Sequence, residues 1–310
     1  MRVFLTGASG FVGSAIIKEL LSNGHTVLGL ARSDKSAETL SIAGVDVHRG
    51  SLEDLESLKT GAAACDGVIH CGFSSDFSDY SGVCETDRHA IEAMGSVLIG
   101  SNKPIVLTTG SFVLKPGEIG TEDSGVDPSS MSAARISSEI MVPLLAEKGV
   151  RISVIRLPPS VHGDDDHAFV PAIIAAARAK GVVIYVGDGQ NRWPAVHRSD
   201  AARLYRLALE KGVAGSRYHC VAEEGIPIKE IVDVVGKHLN LPTESQTPED
   251  AFKNLGFLAV PLGIDNPCSS KRTRKLLGWQ PTQVGLIQDL DQGTYFTSGN
   301  GTTVKGFVNL

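Results

Sequence analysis

Several features that would place this chain in a special class are missing. No apolar run approaches the eighteen or so residues of a membrane-spanning helix, so a membrane protein is not expected. The opening 1–5 meets glycine two residues later and is too short for the apolar stretch of a secretory signal. The five cysteines, Cys65, Cys71, Cys84, Cys220 and Cys268, are scattered and form no Cys-x-x-Cys pair. That pattern reads as reduced thiols in a cytoplasmic protein, with Cys71 as filler in an apolar strand, and no metal site is expected. There is no block of basic residues, and the formal net charge is -6, which argues against a nucleic-acid partner. No internal repeat and no low-complexity segment interrupts the sequence.

What is present is ordinary globular composition, 42% hydrophobic and 21% charged, which sets aside a disordered chain. At 310 residues the chain is long enough for a large core, as one large domain or two.

The most informative stretch is the first. Val3, Phe4 and Leu5 make a short β-type run, and Phe11, Ala15, Ile16 and Leu20 then recur at helical spacing. Gly7, Gly10 and Gly13 therefore lie on the turn between a strand and a helix. In that place glycine permits the tight turn, a close backbone approach to a pyrophosphate, and close packing of helix on sheet. The helix N-terminus adds N–H groups and a positive dipole end. A dinucleotide site is expected, with a merely structural turn as the alternative. The backbone of Ser9, Phe11 and Val12 belongs to the same cradle.

The second strand, over 26–30, leads into Ala31-Arg32-Ser33. An NAD-selective site usually carries an acid here for the ribose hydroxyls. Arg32 and Ser33 instead suit a 2′-phosphate, which points to NADP(H); a solvent-facing arginine is the alternative.

Strand patterns recur over 45–48, 67–71, 104–109 and 150–156, with helical segments between them, including 52–64 and 132–148. Such alternation implies an α/β, Rossmann-type, doubly wound parallel sheet with right-handed crossovers. After Leu157 the pattern changes: Pro158-Pro159 breaks the chain, a polar loop follows over 163–167, and a helix over 169–180. The expected division is a cofactor-binding domain over 1–157, rejoined by 196–222, with 196–209 as the segment returning to the main sheet. A smaller C-terminal substrate-binding lobe is expected over 158–195 and 223–296, and a loosely held tail over 297–310. The pocket would form beside the carboxyl ends of the strands.

Thr6-Gly7-x-x-Gly10-x-x-Gly13, together with Arg156-x-Pro158-x-x-Val161-His162-Gly163, resembles the extended short-chain dehydrogenase/reductase family, from the first strand to about Phe296. The run from Gly187 to Asp200 is similar to that family's second fingerprint. The resemblance implies that Ser51, Leu52, Cys71, Gly72, Phe73, Thr108 and Pro158 also line the cofactor. It departs at the catalytic positions. The family uses a serine, then Tyr-x-x-x-Lys, usually with a glutamate four residues beyond the lysine. Here Glu139 follows Arg135 by four, so Arg135 takes the lysine position, Met131 the tyrosine position and Gly110 the serine position. The pattern resembles an atypical subgroup with His-x-x-x-Arg, though Met131 departs even from that.

Arg135 can hold ribose hydroxyls and stabilise a developing alkoxide, but its pKa, above about 12, rules out general-acid work near neutral pH. Its alternative role is a surface arginine paired with Glu139 at i, i+4. Among replacement proton donors His167 ranks first, following three aspartates in the loop, with a solvated loop histidine as its alternative. His162 and His197 read mainly as structural. Thr109 and Ser111, flanking the vacant serine position, are candidates to hydrogen-bond a substrate oxygen or to satisfy backbone. Met131, His162, Phe169 and Trp193 are the candidate substrate contacts, with core packing as the alternative for Phe169 and Trp193.

Three readings follow. The first is an NADP(H)-dependent oxidoreductase acting on a small carbonyl or alcohol substrate, as a monomer or homodimer. The second is a sensor that binds NADP(H) without turnover, and the third a nucleotide-sugar epimerase or dehydratase. Replacing Arg32 with Asp should move the ratio of NADP to NAD affinity about tenfold or more toward NAD, as loss of a charged contact implies. An unchanged ratio in paired titrations would remove Arg32 from the 2′-phosphate.

Overall fold

The computed structural model describes residues 1–74 and 79–297. The strands are β1 (Arg2–Thr6), β2 (Thr26–Ala31), β3 (Asp46–Arg49), β4 (Gly67–His70), β5 (Pro104–Gly110), β6 (Arg151–Leu157), β7 (Ser160–His162), β8 (Val183–Val186), β9 (Arg192–His197), β10 (Ser216–His219), β11 (Glu223–Pro227) and β12 (Thr243–Gln246). The α-helices are α1 (Phe11–Ser22), α2 (Asp34–Ile42), α3 (Leu55–Ala63), α4 (Tyr80–Ser96), α5 (Ile136–Glu147), α6 (Phe169–Lys180), α7 (Arg198–Lys211), α8 (Ile228–Leu239), α9 (Pro248–Leu255), α10 (Ala259–Leu262), α11 (Lys271–Leu277) and α12 (Leu286–Gln292).

A seven-stranded sheet runs in the order β10-β6-β5-β4-β1-β2-β3, and every pairing in it is parallel. The central strands are apolar throughout because both faces are covered: Val3, Phe4, Leu5, Val68, Ile69, Ile105 and Val106 are wholly buried. One core lies between the sheet and the layer of α1 and α7, the other between the sheet and the layer of α3, α4 and α5. The strand order reverses direction of growth at β1 and β4, whose carboxyl ends carry Gly7 and Cys71. In a doubly wound sheet that switch point is where ligands bind.

A second apolar core is built from α6, α8, α9, α10 and α12 around β8 and β9, with Trp193 inside it. It is backed by a three-stranded sheet, β11-β9-β7, and by the parallel pair β12-β8. The segment 196–209, expected to return to the sheet, completes β9 and forms most of α7, which packs on the face of the seven-stranded sheet beside α1. The strand that joins the sheet is β10, beside β6. The helix expected over 132–148 starts later, as a 3-10 turn over Ala133–Arg135 followed by α5. The tail expected over 297–310 lies, beyond Thr297, outside the described residues.

Two glycines hold the loop after β1. Gly7 has φ of 66°, and a Cβ there would lie 2.7 Å from the Cys71 carbonyl and the Gly72 nitrogen. A Cβ on Gly13 would meet the Gly7 carbonyl oxygen at 2.0 Å. Gly13→Ala must push α1 off the sheet, and should cost about 1–3 kcal/mol in urea unfolding. A variant as stable as the parent would contradict this packing.

Candidate functional site

The glycine loop closes with Gly10 N–H donating to Gly7 O at 3.0 Å, and α1 then begins with no side chain capping its first turn. Ser9 and Gly10 are exposed, while Phe11 and Val12 are half-buried. A helix start left open in this way suits a pyrophosphate.

At the end of β2, Arg32 is exposed and has no ion pair among the described residues. Ser33 caps α2, its Oγ accepting from the Ser36 N–H at 3.2 Å while the Ser36 hydroxyl accepts from the Ser33 N–H at 3.0 Å. The nearest acid in sequence, Asp34, is paired with Arg49 at 2.5 Å. Ser51 is half-buried, and Leu52 and Phe73 line a cleft of about 340 Å³ with Ser74 and Thr86. Cys71 donates its thiol to Thr6 O at 3.2 Å, and burial pushes that thiol up to about 12. Pro158 is buried just beyond β6.

Arg135 is buried, although it stands at the position where a surface arginine was the alternative. It does not pair with Glu139: it sits on the 3-10 turn before α5, and each of the two residues finds another partner. Arg135 Nη1 lies 2.8 Å from Asp87 Oδ2, Nη2 donates to Thr108 O, and the guanidinium stacks 4.1 Å from the Phe73 ring centre. Thr108 donates its own hydroxyl to His70 O at 2.8 Å, which ties β5 to β4. Glu139 takes both prongs of Arg156, at 2.8 and 2.7 Å, in a fully buried pair. Burial works against charge on both carboxylates. Arg135, His70 and Ser138 nevertheless hold Asp87 down at about 2, and Arg156 lowers Glu139.

The flanking hydroxyls are engaged inside the protein. Thr109 donates to Glu139 at 2.8 Å, and Ser111 to Asn266 Oδ1 at 2.5 Å. Met131 and Phe169, both half-buried, pack against the second core. Trp193 serves that core outright, being wholly buried with its indole N–H on Pro261 O at 3.1 Å. His162 is likewise buried, with Nδ1 on Asp289 at 2.7 Å and its ring edge-on to His197.

His167 is exposed on the acidic loop, and its ring meets Phe11 edge-on at 5.7 Å between ring centres. The loop thus reaches the phosphate end of the cradle. Its acids are held elsewhere: Asp164 by Thr294 at 2.9 Å, Asp165 near Arg198 at 3.8 Å, and Asp166 by the Ala168 N–H at 2.8 Å and the Tyr295 hydroxyl at 2.9 Å. Sequence reasoning missed His70 and Asp87. An acid at position 87 among Cys84, Ala90, Ile91 and Met94 stands on the apolar face of a helix, and that was the available signal.

A nicotinamide dinucleotide fits these residues: the glycine loop leaves room only for backbone, and buried Arg135 Nη1 has no aligned hydrogen-bond acceptor among the described residues. The model of the NAD dependent epimerase/dehydratase family matches residues 3–221. The chain belongs to that family. It is 50% identical over 297 residues to an uncharacterized protein of Schizosaccharomyces pombe, covering 96% of this chain and 100% of that one. It is 31% identical over 241 residues to a sterol-4-alpha-carboxylate 3-dehydrogenase, decarboxylating, of Dictyostelium discoideum, covering 73% of this chain and 72% of the relative. In fold it is similar to DesIV, a dTDP-glucose 4,6-dehydratase from Streptomyces venezuelae solved with NAD bound. That likeness has a TM-score of 0.78 at 18% identity and covers 98% of this chain and 99% of the other. The expected short-chain dehydrogenase/reductase resemblance and α/β fold therefore hold. No helix among the described residues is long and apolar enough to cross a membrane.

Asp166 gives this family member a measurable pH signature. Burial pushes its carboxyl up to about 6, so the folded state holds the proton more tightly than the unfolded chain. Its contribution is present below about pH 4 and lost as pH rises through 6, a change of about 2–3 kcal/mol. The stability of the parent minus that of Asp166→Asn should fall across this window in urea titrations. A flat difference would contradict the burial of a charged carboxylate there.

Proposed function

We propose that this family member is an NADP(H)-dependent oxidoreductase that interconverts a small carbonyl compound and its alcohol. The observation that carries the reading is buried Arg135, held at the carboxyl end of β5 and ion-paired with Asp87, beside an open glycine cradle. Bound nicotinamide would supply or accept the hydride. The α1 N-terminus would hold the pyrophosphate, and Arg135 the nicotinamide ribose. Arg32 has no ion pair among the described residues and suits a 2′-phosphate, while Asp34, the acid nearest it in sequence, is engaged by Arg49.

The residues at hand favour positioning over proton transfer. Approximation alone is worth about 7–11 kcal/mol in favourable cases, so turnover does not require the missing tyrosine. The positive charge of Arg135 would steady oxygen as its charge develops. The proton is assigned to solvent, since Met131 has none to give, Thr109 and Ser111 are engaged internally and His167 stands over Phe11 at the phosphate end of the cradle. Met131 and Phe169, each partly open, favour an apolar substrate face formed with the C-terminal lobe. The Dictyostelium relative, a dehydrogenase by name, agrees with this reaction class.

The engaged hydroxyls favour a second reading, a protein that binds NADP(H) and responds without turnover. The epimerase or dehydratase reading ranks third, because those reactions rely on a tyrosine base and position 131 is methionine. NADPH oxidation followed by absorbance against a panel of aldehydes, ketones and diketones separates these. Turnover that drops by a factor of about 100 or more in Arg135→Met is expected, the loss typical of removing a charge that stabilises a transition state. Tight NADPH binding with no oxidation of any carbonyl would favour the second reading.

A further inference from the structure

Beneath the cradle runs a row of buried polar groups that hydride transfer itself does not need. The Gly72 N–H donates to Thr6 Oγ1 at 3.0 Å, and Thr6 Oγ1 lies 2.7 Å from His70 Nδ1. The Asp87 carboxylate can only accept, so His70 presents a proton on Nε2 to Asp87 Oδ1 at 3.1 Å, and in the neutral ring Nδ1 accepts from the Thr6 hydroxyl. The other oxygen of Asp87 receives the Ser138 hydroxyl at 2.6 Å and faces Arg135 Nη1 at 2.8 Å. The donors converge on Asp87, through Thr6 and His70 from the β4 side and from Ser138 and Arg135 on the other.

Among the described residues no other carboxylate is paired with Arg135. Glu139, the other buried carboxylate, is saturated by Arg156 and Thr109. The Asp87 side chain is 2% exposed. A buried ion pair of this kind is costly to desolvate and contributes little net stability, so its value lies in fixing geometry. Arg135 Nη1 faces Asp87 without an aligned hydrogen-bond acceptor among the described residues.

We propose that Asp87 is a positioning residue for the nicotinamide half of the cofactor: it aims Arg135, and through His70 and Thr6 it couples that arginine to the loop that holds the phosphates. This rests on the cofactor reading above and adds to it a residue outside the glycine motif and outside the three family catalytic positions.

The test is a set of binding titrations on the full chain with two probes, NADPH and 2′,5′-ADP, the latter lacking the nicotinamide half. In Asp87→Asn, NADPH should bind about tenfold more weakly, as loss of a charged partner implies, while 2′,5′-ADP stays within about twofold. The emission of bound NADPH should fall toward that of the free cofactor. In the Arg135→Met background the same substitution should have no further effect on NADPH, because the two residues act as one unit. Ser138→Ala, which removes one hydrogen bond and no charge, should show a smaller loss confined to NADPH, and it serves if Asp87→Asn does not fold. Equal weakening of both probes, no weakening of either, or effects that multiply in the double variant would overturn the positioning role. A parent protein that binds neither probe would instead overturn the cofactor reading and this assignment with it.

Discussion

The close approach of β1 and β4 at their carboxyl ends governs the site. No Cβ can be accommodated at Gly7 or Gly13 without displacing backbone, so the loop, the start of α1 and the Cys71–Gly72 peptide are locked in one arrangement. From that contact the rest takes its place. The open first turn of α1 faces outward, the Gly72 N–H reaches Thr6, and the end of β5 is held beside β4 by Thr108. A loop made of backbone has little freedom to adapt, which suits the proposed role of holding a cofactor's phosphates.

Around this rigid centre two arginine–carboxylate pairs are buried among the described residues, Asp87 with Arg135 and Glu139 with Arg156. They differ in completeness. Glu139 and Arg156 meet two-pronged and wholly enclosed, and Arg156 adds the Ser124 carbonyl at 3.1 Å. That pair knits β6 to α5 and leaves little for a ligand to find. Arg135 meets Asp87 through one nitrogen, without an aligned hydrogen bond among the described residues, and lays a face against Phe73. Of the two arginines, the incompletely satisfied one stands at the family's lysine position. The same criterion separates the histidines. His70 is wired into the cofactor side, His162 is clamped by Asp289, and His167 stands exposed over Phe11.

Much of the α/β framework was legible in the sequence, since buried parallel strands read as apolar runs and α1 and α6 kept their spacing. The cradle was legible because three glycines at that spacing, set between a strand and a helix, meet the steric demands of a backbone phosphate site together. The partner of Arg135 was not. Asp87 lies far away in sequence on a helix that carried no recognised motif, and local spacing favoured Glu139 at i, i+4. That pairing fails because the chain enters α5 through a 3-10 turn, which breaks the helical spacing between the two residues. Trp193 was similarly ambiguous, as an aromatic beside a substrate lobe reads the same whether it lines a pocket or fills a core; only its complete burial decides. The fold of the acidic loop onto Phe11 depends on Thr294 and Tyr295, well over a hundred residues away, and no local pattern encodes it.

The central claim is that the glycine cradle and Arg135 hold opposite halves of one nicotinamide cofactor. A crystal structure of the NADP complex tests it most directly. The account predicts pyrophosphate oxygens at the first turn of α1 and ribose hydroxyls of the nicotinamide half about 3 Å from the Arg135 guanidinium, with the Asp87 pair intact. Phosphates seated away from α1, or a nicotinamide half out of reach of Arg135, would contradict it.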